Sequence, residues 1–230
     1  MAESPVLGLT TAAPCRVHGA LRMDRSLFRQ ANHLAARTGW LHGPAAAFAN
    51  YGIVLFAVLL VLAWWRARSA VDLRGEAGAV WAGSAALIAL GLGQVIATLV
   101  DRSRPYETVS SVQVLISRTT DSSFPSDHAT AAGAVAAGLW LTDRTVGRWA
   151  IAGALLMASV RVYAGVHYPS DVVAGLALGT IVALVGAKPC TDLGETVLRR
   201  LARVRRFAWL LGTQERSLNG RDPAHDHTGR

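Results

Sequence analysis

Charge is what this 230-residue sequence has least of. Asp, Glu, Lys and Arg make up 17% of it, against 52% hydrophobic residues. A soluble domain of this length buries a full core and still covers itself with charge. The balance here points instead to a chain that crosses a bilayer several times. Cysteine is nearly absent: Cys15 and Cys190 stand alone, without metal-ligand spacing or a disulfide framework. The carboxylates never gather densely enough for a two-metal centre. Residues 1–8 lack a basic stretch and a long apolar run, so no cleaved signal peptide is expected. No fixed-period repeat is visible. The formal net charge of +8 would suit nucleic acid. Most of the arginines, however, sit in loops and near the C-terminus beside apolar runs, which fits anionic lipid and argues against nucleic acid.

What is present is a succession of apolar segments. Residues 1–23 read as irregular. Asp24 or Ser26 is expected to cap an amphipathic helix reaching about residue 41, with Leu27, Phe28, Ala31, Leu34, Ala35 and Leu41 near one face. It reads as interfacial, with a short span as the alternative. Spans are expected at 44–65, closed by the interface anchors Trp64, Trp65 and Arg66, and at 76–100, 128–142, 149–166 and 168–187, the last with Pro169 in its first turn. Gly133, Gly138, Gly153, Gly175 and Gly179 let such helices approach closely. The expected fold is an all-α membrane bundle of five to six helices. It divides into an N-terminal segment (1–43), a transmembrane domain (44–188) and a C-terminal segment (189–230). In that last segment Arg199, Arg200, Arg203, Arg205 and Arg206 alternate with apolar residues over 194–211, a pattern for a helix lying on anionic lipid. Residues 212–230 read as disordered, with His225 and His227 solvated rather than a metal site. Arginine placement assigns 66–75, 143–148 and the C-terminal segment to the cytoplasm. The polar stretches 101–127 and 164–170 then share the outer membrane face.

The chemistry concentrates in those two stretches. Residues 161–171 read R-V-Y-A-G-V-H-Y-P-S-D. An arginine, a histidine and a carboxylate inside apolar sequence are costly, and such groups point to function. Arg161 can clamp an oxyanion. His167 and Asp171 are four apart, so a carboxylate can fix the imidazole tautomer and support a nucleophile. Snorkelling at an interface is the plain alternative. Ser126, Asp127 and His128 follow Pro125 and open a helix whose free N–H groups suit an anion. Simple N-capping by Ser126 or Asp127 is the alternative there. Arg104, with Arg102 nearby, adds cations, and His128 can protonate a leaving oxygen. The set needs no metal or other cofactor.

Taken in order, R-P at 104–105, P-S-D-H at 125–128 and R-x5-H-x3-D at 161–171 resemble the type 2 phosphatidic acid phosphatases. These membrane enzymes share an active site with the soluble vanadium haloperoxidases, whose halide oxidation does not suit a membrane-embedded chain. With Asp127 where many members have Gly, F-P-S-D-H-A looks most like the bacitracin-resistance type of undecaprenyl-diphosphatase. The resemblance covers roughly residues 44–187. It implies that His167 is the nucleophile, Asp171 its orienting partner and His128 the general acid. Phosphate ligands would be Arg104, Ser126, Arg161, Asp127 and Arg102. The implied reaction is hydrolysis of a polyprenyl diphosphate lipid to the monophosphate. Another lipid phosphate, such as phosphatidic acid, phosphatidylglycerol phosphate or a sugar-linked polyprenyl phosphate, is the alternative within that chemistry. A degenerate lipid-binding or transport protein is the alternative outside it. Two positions depart from the family pattern. Ala97 stands where a Lys usually precedes the Arg of R-P, leaving Arg102 to supply that charge, and Val160 stands where a Ser often precedes the third-motif Arg.

Overall fold

The computed structural model describes residues 13–202, and all regular structure within them is helical. Helix α1 (Ala13–Arg37) leads through a 3₁₀ turn (Gly39–Leu41) into α2 (His42–Tyr51) and α3 (Ile53–Ser69). Then come α4 (Leu73–Val100), the single turn α5 (Pro105–Thr108), α6 (Asp127–Thr142), α7 (Arg144–Tyr163) and α8 (Pro169–Ala202). Helices α4, α7 and α8 are long and apolar enough to cross a membrane, and α2 with α3 form a fourth candidate bent by 55°. This is an integral membrane protein.

Several expectations change. The segment 44–65 is not one straight span but breaks at Gly52. A Cβ there would lie 2.5 Å from the Phe48 carbonyl oxygen and 2.8 Å from Met157 Cε, so only glycine fits the bend against α7. Asp24 and Ser26 cap nothing, because α1 already begins at Ala13. The last span does not end near residue 187: α8 runs through Pro189 to Ala202. Exposed pairs hold that stretch helical, with Lys188 on Asp192 at 3.3 Å, Arg199 on Glu195 at 2.6 Å, and Arg74 of α4 on Asp192 at 2.8 Å. Beyond residue 202, the remainder of the expected basic helix, together with His225 and His227, lies outside the described residues.

Helix α6 is central, packed by α3, α4, α7 and α8. Its 16 residues span only about 24 Å, short of a hydrocarbon core of about 30 Å, and it is shielded from lipid by its neighbours. Many of the side chains along its seams are small. Ala82, Ala85 and Ala89 of α4 and Ala129, Ala132 and Ala134 of α6 are fully buried. Gly133 packs on the Leu176 backbone, Gly175 on the Ser126 carbonyl and Gly179 on the Thr130 carbonyl. Side chains this small let backbones close up where lipid offers no hydrophobic drive.

At one end of the bundle, Asp72 caps α4 through Gly75 N at 3.0 Å. Asp143 caps α7 through Thr145 N at 2.8 Å while binding Arg66 of α3 at 2.7 Å. At the other end α4 and α7 finish, α6 and α8 begin, and the two polar stretches meet. Leu115 N donates to the Ala164 carbonyl at 3.1 Å, and Ser126 N to that of Asp171 at 3.1 Å. Gly165, with φ +81°, lets the second stretch pass directly under the Gln113 carbonyl.

Gly179→Ala is expected to lower stability by about 1–3 kcal/mol, because its methyl overlaps backbone that no rotamer change can move. Gly91→Ala, whose Cβ meets nothing within 4 Å, is the neutral control. Thermal unfolding of both variants in detergent checks this.

Candidate active site

At the loop end of the bundle, His167 is 2% exposed, and its two ring nitrogens face different surroundings. Nδ1 lies 2.9 Å from the Ser123 carbonyl oxygen. A carbonyl only accepts, so the proton of the neutral ring sits on Nδ1 and Nε2 carries the lone pair. Nε2 lies 3.2 Å from Nη2 of Arg161 and 3.5 Å from Nη1 of Arg104. The basic nitrogen thus projects between two guanidinium groups, each less than a tenth exposed.

Each arginine is steered by acceptors that leave part of its fork available. Arg161, in the last turn of α7, donates Nη1 to the Ala49 carbonyl at 3.3 Å. Its Nε is buried without a partner among the described residues. Arg104, at the N-cap of α5, donates Nη1 to the Val166 carbonyl at 3.1 Å and Nη2 to Asp121 Oδ2 at 2.9 Å. Ser126 is fully buried at the N-cap of α6, yet its hydroxyl makes no capping bond and has no partner among the described residues. The plain capping alternative therefore fails for Ser126. A buried donor left unpaired costs about 1–3 kcal/mol; two of them beside paired guanidinium groups make a site built to receive an anion.

His128 and Asp127 open α6. His128 is half-buried and within the electrostatic reach of Arg161, His167 and Arg104. The Asp127 carboxylate is held by Gln94 Nε2 at 3.1 Å to each oxygen. It offers an anion only its backbone N–H.

Two expected contacts differ. Asp171 does not bond His167: Nδ1 and Oδ2 are 3.8 Å apart, beyond hydrogen-bond range. The carboxylate instead accepts Ser123 Oγ at 2.5 Å, Tyr168 N at 2.8 Å and Arg102 Nη1 at 2.6 Å. It holds the residue whose carbonyl holds the imidazole. Arg102, expected among the phosphate ligands, is instead committed to carboxylates, bonding Asp171 and also Asp24 at 2.6 Å. Sequence reasoning missed Ser123, Asp121 and Asp24. Ser123 acts partly through its backbone, Asp121 sits in a polar loop, and Asp24 is 78 residues from Arg102, so no local pattern marks them.

Burial pushes the His167 imidazole below the ordinary histidine range, the Asp171 carboxylate opposes that, and the Arg161 and Arg104 cations reinforce it. The ring is therefore held neutral at neutral pH, with its lone pair on Nε2.

A buried imidazole whose Nε2 meets only guanidinium donors, with two arginines and the start of a helix beside it, is chemically suited to an oxyanion group. Residues 78–189 match the PAP2 superfamily. The bacitracin transport permease protein BcrC of Bacillus licheniformis is 30% identical over 68% of this chain and 75% of its own. The undecaprenyl-diphosphatase BcrC of Bacillus subtilis is 26% identical over 71% and 82%. The crystal structure of Aquifex aeolicus LpxE superposes with a TM-score of 0.53 at 26% identity, covering 71% of this chain and 93% of that one. The chain belongs to the PAP2 superfamily and is a membrane lipid phosphatase of that group.

The nucleophilic role proposed below for His167 requires the neutral ring, so activity is expected to fall on the acid side of its pKa. Asp171→Asn removes the charge that raises that pKa. The acid limb of the kcat/KM profile is expected to move to lower pH, with the plateau reduced about 10- to 100-fold by lost alignment. A pH–rate profile of both proteins measures this.

Proposed function

We propose that this protein hydrolyses a polyprenyl diphosphate, of the undecaprenyl class, to the monophosphate and inorganic phosphate through a phosphohistidine. The reading rests on one observation: Nδ1 of His167 is held on the Ser123 carbonyl while Nε2 faces Arg161 and Arg104. The resemblance to an undecaprenyl-diphosphatase supports the choice of substrate. An apolar groove of about 450 Å³ supports a lipid tail. It is lined by Phe48, Leu156, Val160 and Tyr163 and begins one residue from Arg161.

In the first step Nε2 attacks the terminal phosphorus in line with the bridging oxygen. The P–N bond forms, the P–O bond breaks, and His128 protonates the leaving monophosphate. Arg104, Arg161, the Ser126 hydroxyl and the N–H groups opening α6, that of Asp127 included, stabilise the equatorial oxygens. In the second step water gives a proton to His128 and attacks phosphorus. The P–N bond breaks, inorganic phosphate leaves and His167 is regenerated. Proton transfer by His128 contributes about 10²–10⁴ in rate. Arg102 keeps Asp171 in place rather than binding phosphate. No step uses a metal or other cofactor.

The substrate site faces outside the cytoplasm across the plasma membrane, following the arginine asymmetry of the loops. That location suits return of a carrier lipid to envelope assembly. Anionic lipid is the partner expected for the basic C-terminal segment.

Phosphate release by the detergent-purified protein, with undecaprenyl diphosphate, phosphatidic acid and phosphatidylglycerol phosphate compared, tests this. The diphosphate is expected to be preferred, EDTA to leave the rate unchanged, and His167→Ala to abolish turnover without altering thermal unfolding. A preference for a glycerophospholipid moves the substrate assignment. Turnover by His167→Ala removes the mechanism.

A further inference from the structure

Helix α1 lies wholly outside the stretch matching the PAP2 superfamily, yet it sends one carboxylate into the catalytic end of the bundle. Asp24 is 8% exposed. Its Oδ1 accepts Ser170 N at 2.9 Å, and its Oδ2 accepts Ser170 Oγ and Arg102 Nη2, each at 2.6 Å. The other nitrogen of that fork, Arg102 Nη1, reaches Asp171 at 2.6 Å. The guanidinium plane lies over the Tyr168 ring, 4.2 Å from its centroid, and Tyr168 in turn meets Phe28 of α1, with ring centroids 5.4 Å apart.

One guanidinium therefore serves two carboxylates, one on each end of its fork, and stacking on Tyr168 fixes its plane. Without Asp24, Arg102 Nη1 still meets Ser170 Oγ and Asp171 Oδ1, each at 2.6 Å, but Nη2 loses its acceptor. Arg102 becomes free to pair with Asp171 through both nitrogens or to swing toward a bound anion. Either movement draws the Asp171 carboxylate off Ser123 Oγ, and Ser123 supplies the carbonyl that holds His167 Nδ1. A simple tether between α1 and α8 would need only the Ser170 bonds; Asp24 also reaches Arg102, directly at Nη2 and again through Ser170 Oγ, which accepts from Arg102 Nη1 at 2.6 Å.

We propose that Asp24 is a positioning residue for His167, acting through Arg102, Asp171 and Ser123. The catalytic unit of this protein then includes α1. The inference rests on His167 being the nucleophile, as argued under Proposed function.

A double-mutant cycle tests it, using Asp24→Asn, Arg102→Gln and the two combined. Two quantities are read: kcat for phosphate release, and affinity for orthovanadate, a five-coordinating phosphate analogue that needs no lipid and whose binding depends on the aim of Nε2. Asp24→Asn is expected to lower kcat about 10- to 100-fold with KM little changed, and to weaken orthovanadate binding in parallel. Because both residues act along one chain of bonds, the combined variant should be no worse than Arg102→Gln alone. Asp24→Glu, which keeps the charge, should regain part of the loss. Thermal unfolding in detergent is followed throughout. If Asp24→Asn fails to fold, the pairing of Asp24→Glu with Arg102→Lys is read in its place. Additive losses, or a near wild-type kcat for Asp24→Asn, overturn the positioning role while leaving the phosphatase reading intact. A wild-type protein that neither releases phosphate nor binds orthovanadate overturns both.

Discussion

Two guanidinium groups held against one imidazole nitrogen, inside a protein that lives in lipid, are the constraint on which the rest depends. Arg104 and Arg161 are each almost fully buried. Like charges so placed repel one another and lose their hydration. The fold offsets this with oriented acceptors: the carbonyls of Ala49, Val166 and Asp121, and one carboxylate, Asp121, on the rim. What remains is a cluster of positive charge in which Ser126 Oγ and Arg161 Nε have no partner among the described residues. In the proposed reaction a phosphoryl group would relieve the repulsion and satisfy the donors together, most fully when its charge spreads over three equatorial oxygens. Preorganisation of this kind requires rigid walls. The close seams between α6 and its neighbours provide them.

The histidine is set by an equally indirect arrangement. Its proton is fixed by a backbone carbonyl, and the carboxylate that a Ser-His-Asp comparison would place against the ring stands one residue back. A full hydrogen bond to a carboxylate would raise the basicity of the ring and favour its cation between two arginines. A carbonyl fixes the same tautomer with a weaker effect. The neutral imidazole and the two guanidinium groups coexist because the nearby carboxylate, Asp171, is held at Ser123.

Much of this was legible in the sequence, and for physical reasons. Arg161, His167 and Asp171 stand out because ionisable groups are rare in apolar segments; Arg104, Ser126 and His128, in or beside a polar stretch, stand out only because the order and spacing of all six carried the family resemblance. The alternation of spans placed both polar stretches together, and the structure brings them into contact. The bend at Gly52 was not legible, since apolar periodicity is the same in a straight helix and a broken one. The continuation of α8 through Pro189 ran against local propensity and depends on pairs with α4. Asp24 looked like a helix cap because its partners, Arg102 and Ser170, are distant in sequence. The misassignment of Arg102 has the same origin: composition shows a cation, and only the fold shows which anions already hold it.

The bend at Gly52 has a consequence for charge. Arg161 has no carboxylate within ion-pair distance among the described residues; its acceptor is the carbonyl of Ala49 in the last turn of α2. The end of a helix carries a partial negative charge, about half an elementary unit, set by aligned peptide dipoles. By stopping α2 short, the break aims that pole at the guanidinium. Such a pole steadies a cation without neutralising it, and it has no side chain that could swing in and take the place of substrate. The kink thus gives the arginine a counter-charge from the backbone, and under the proposed function its positive charge stays available to the phosphate.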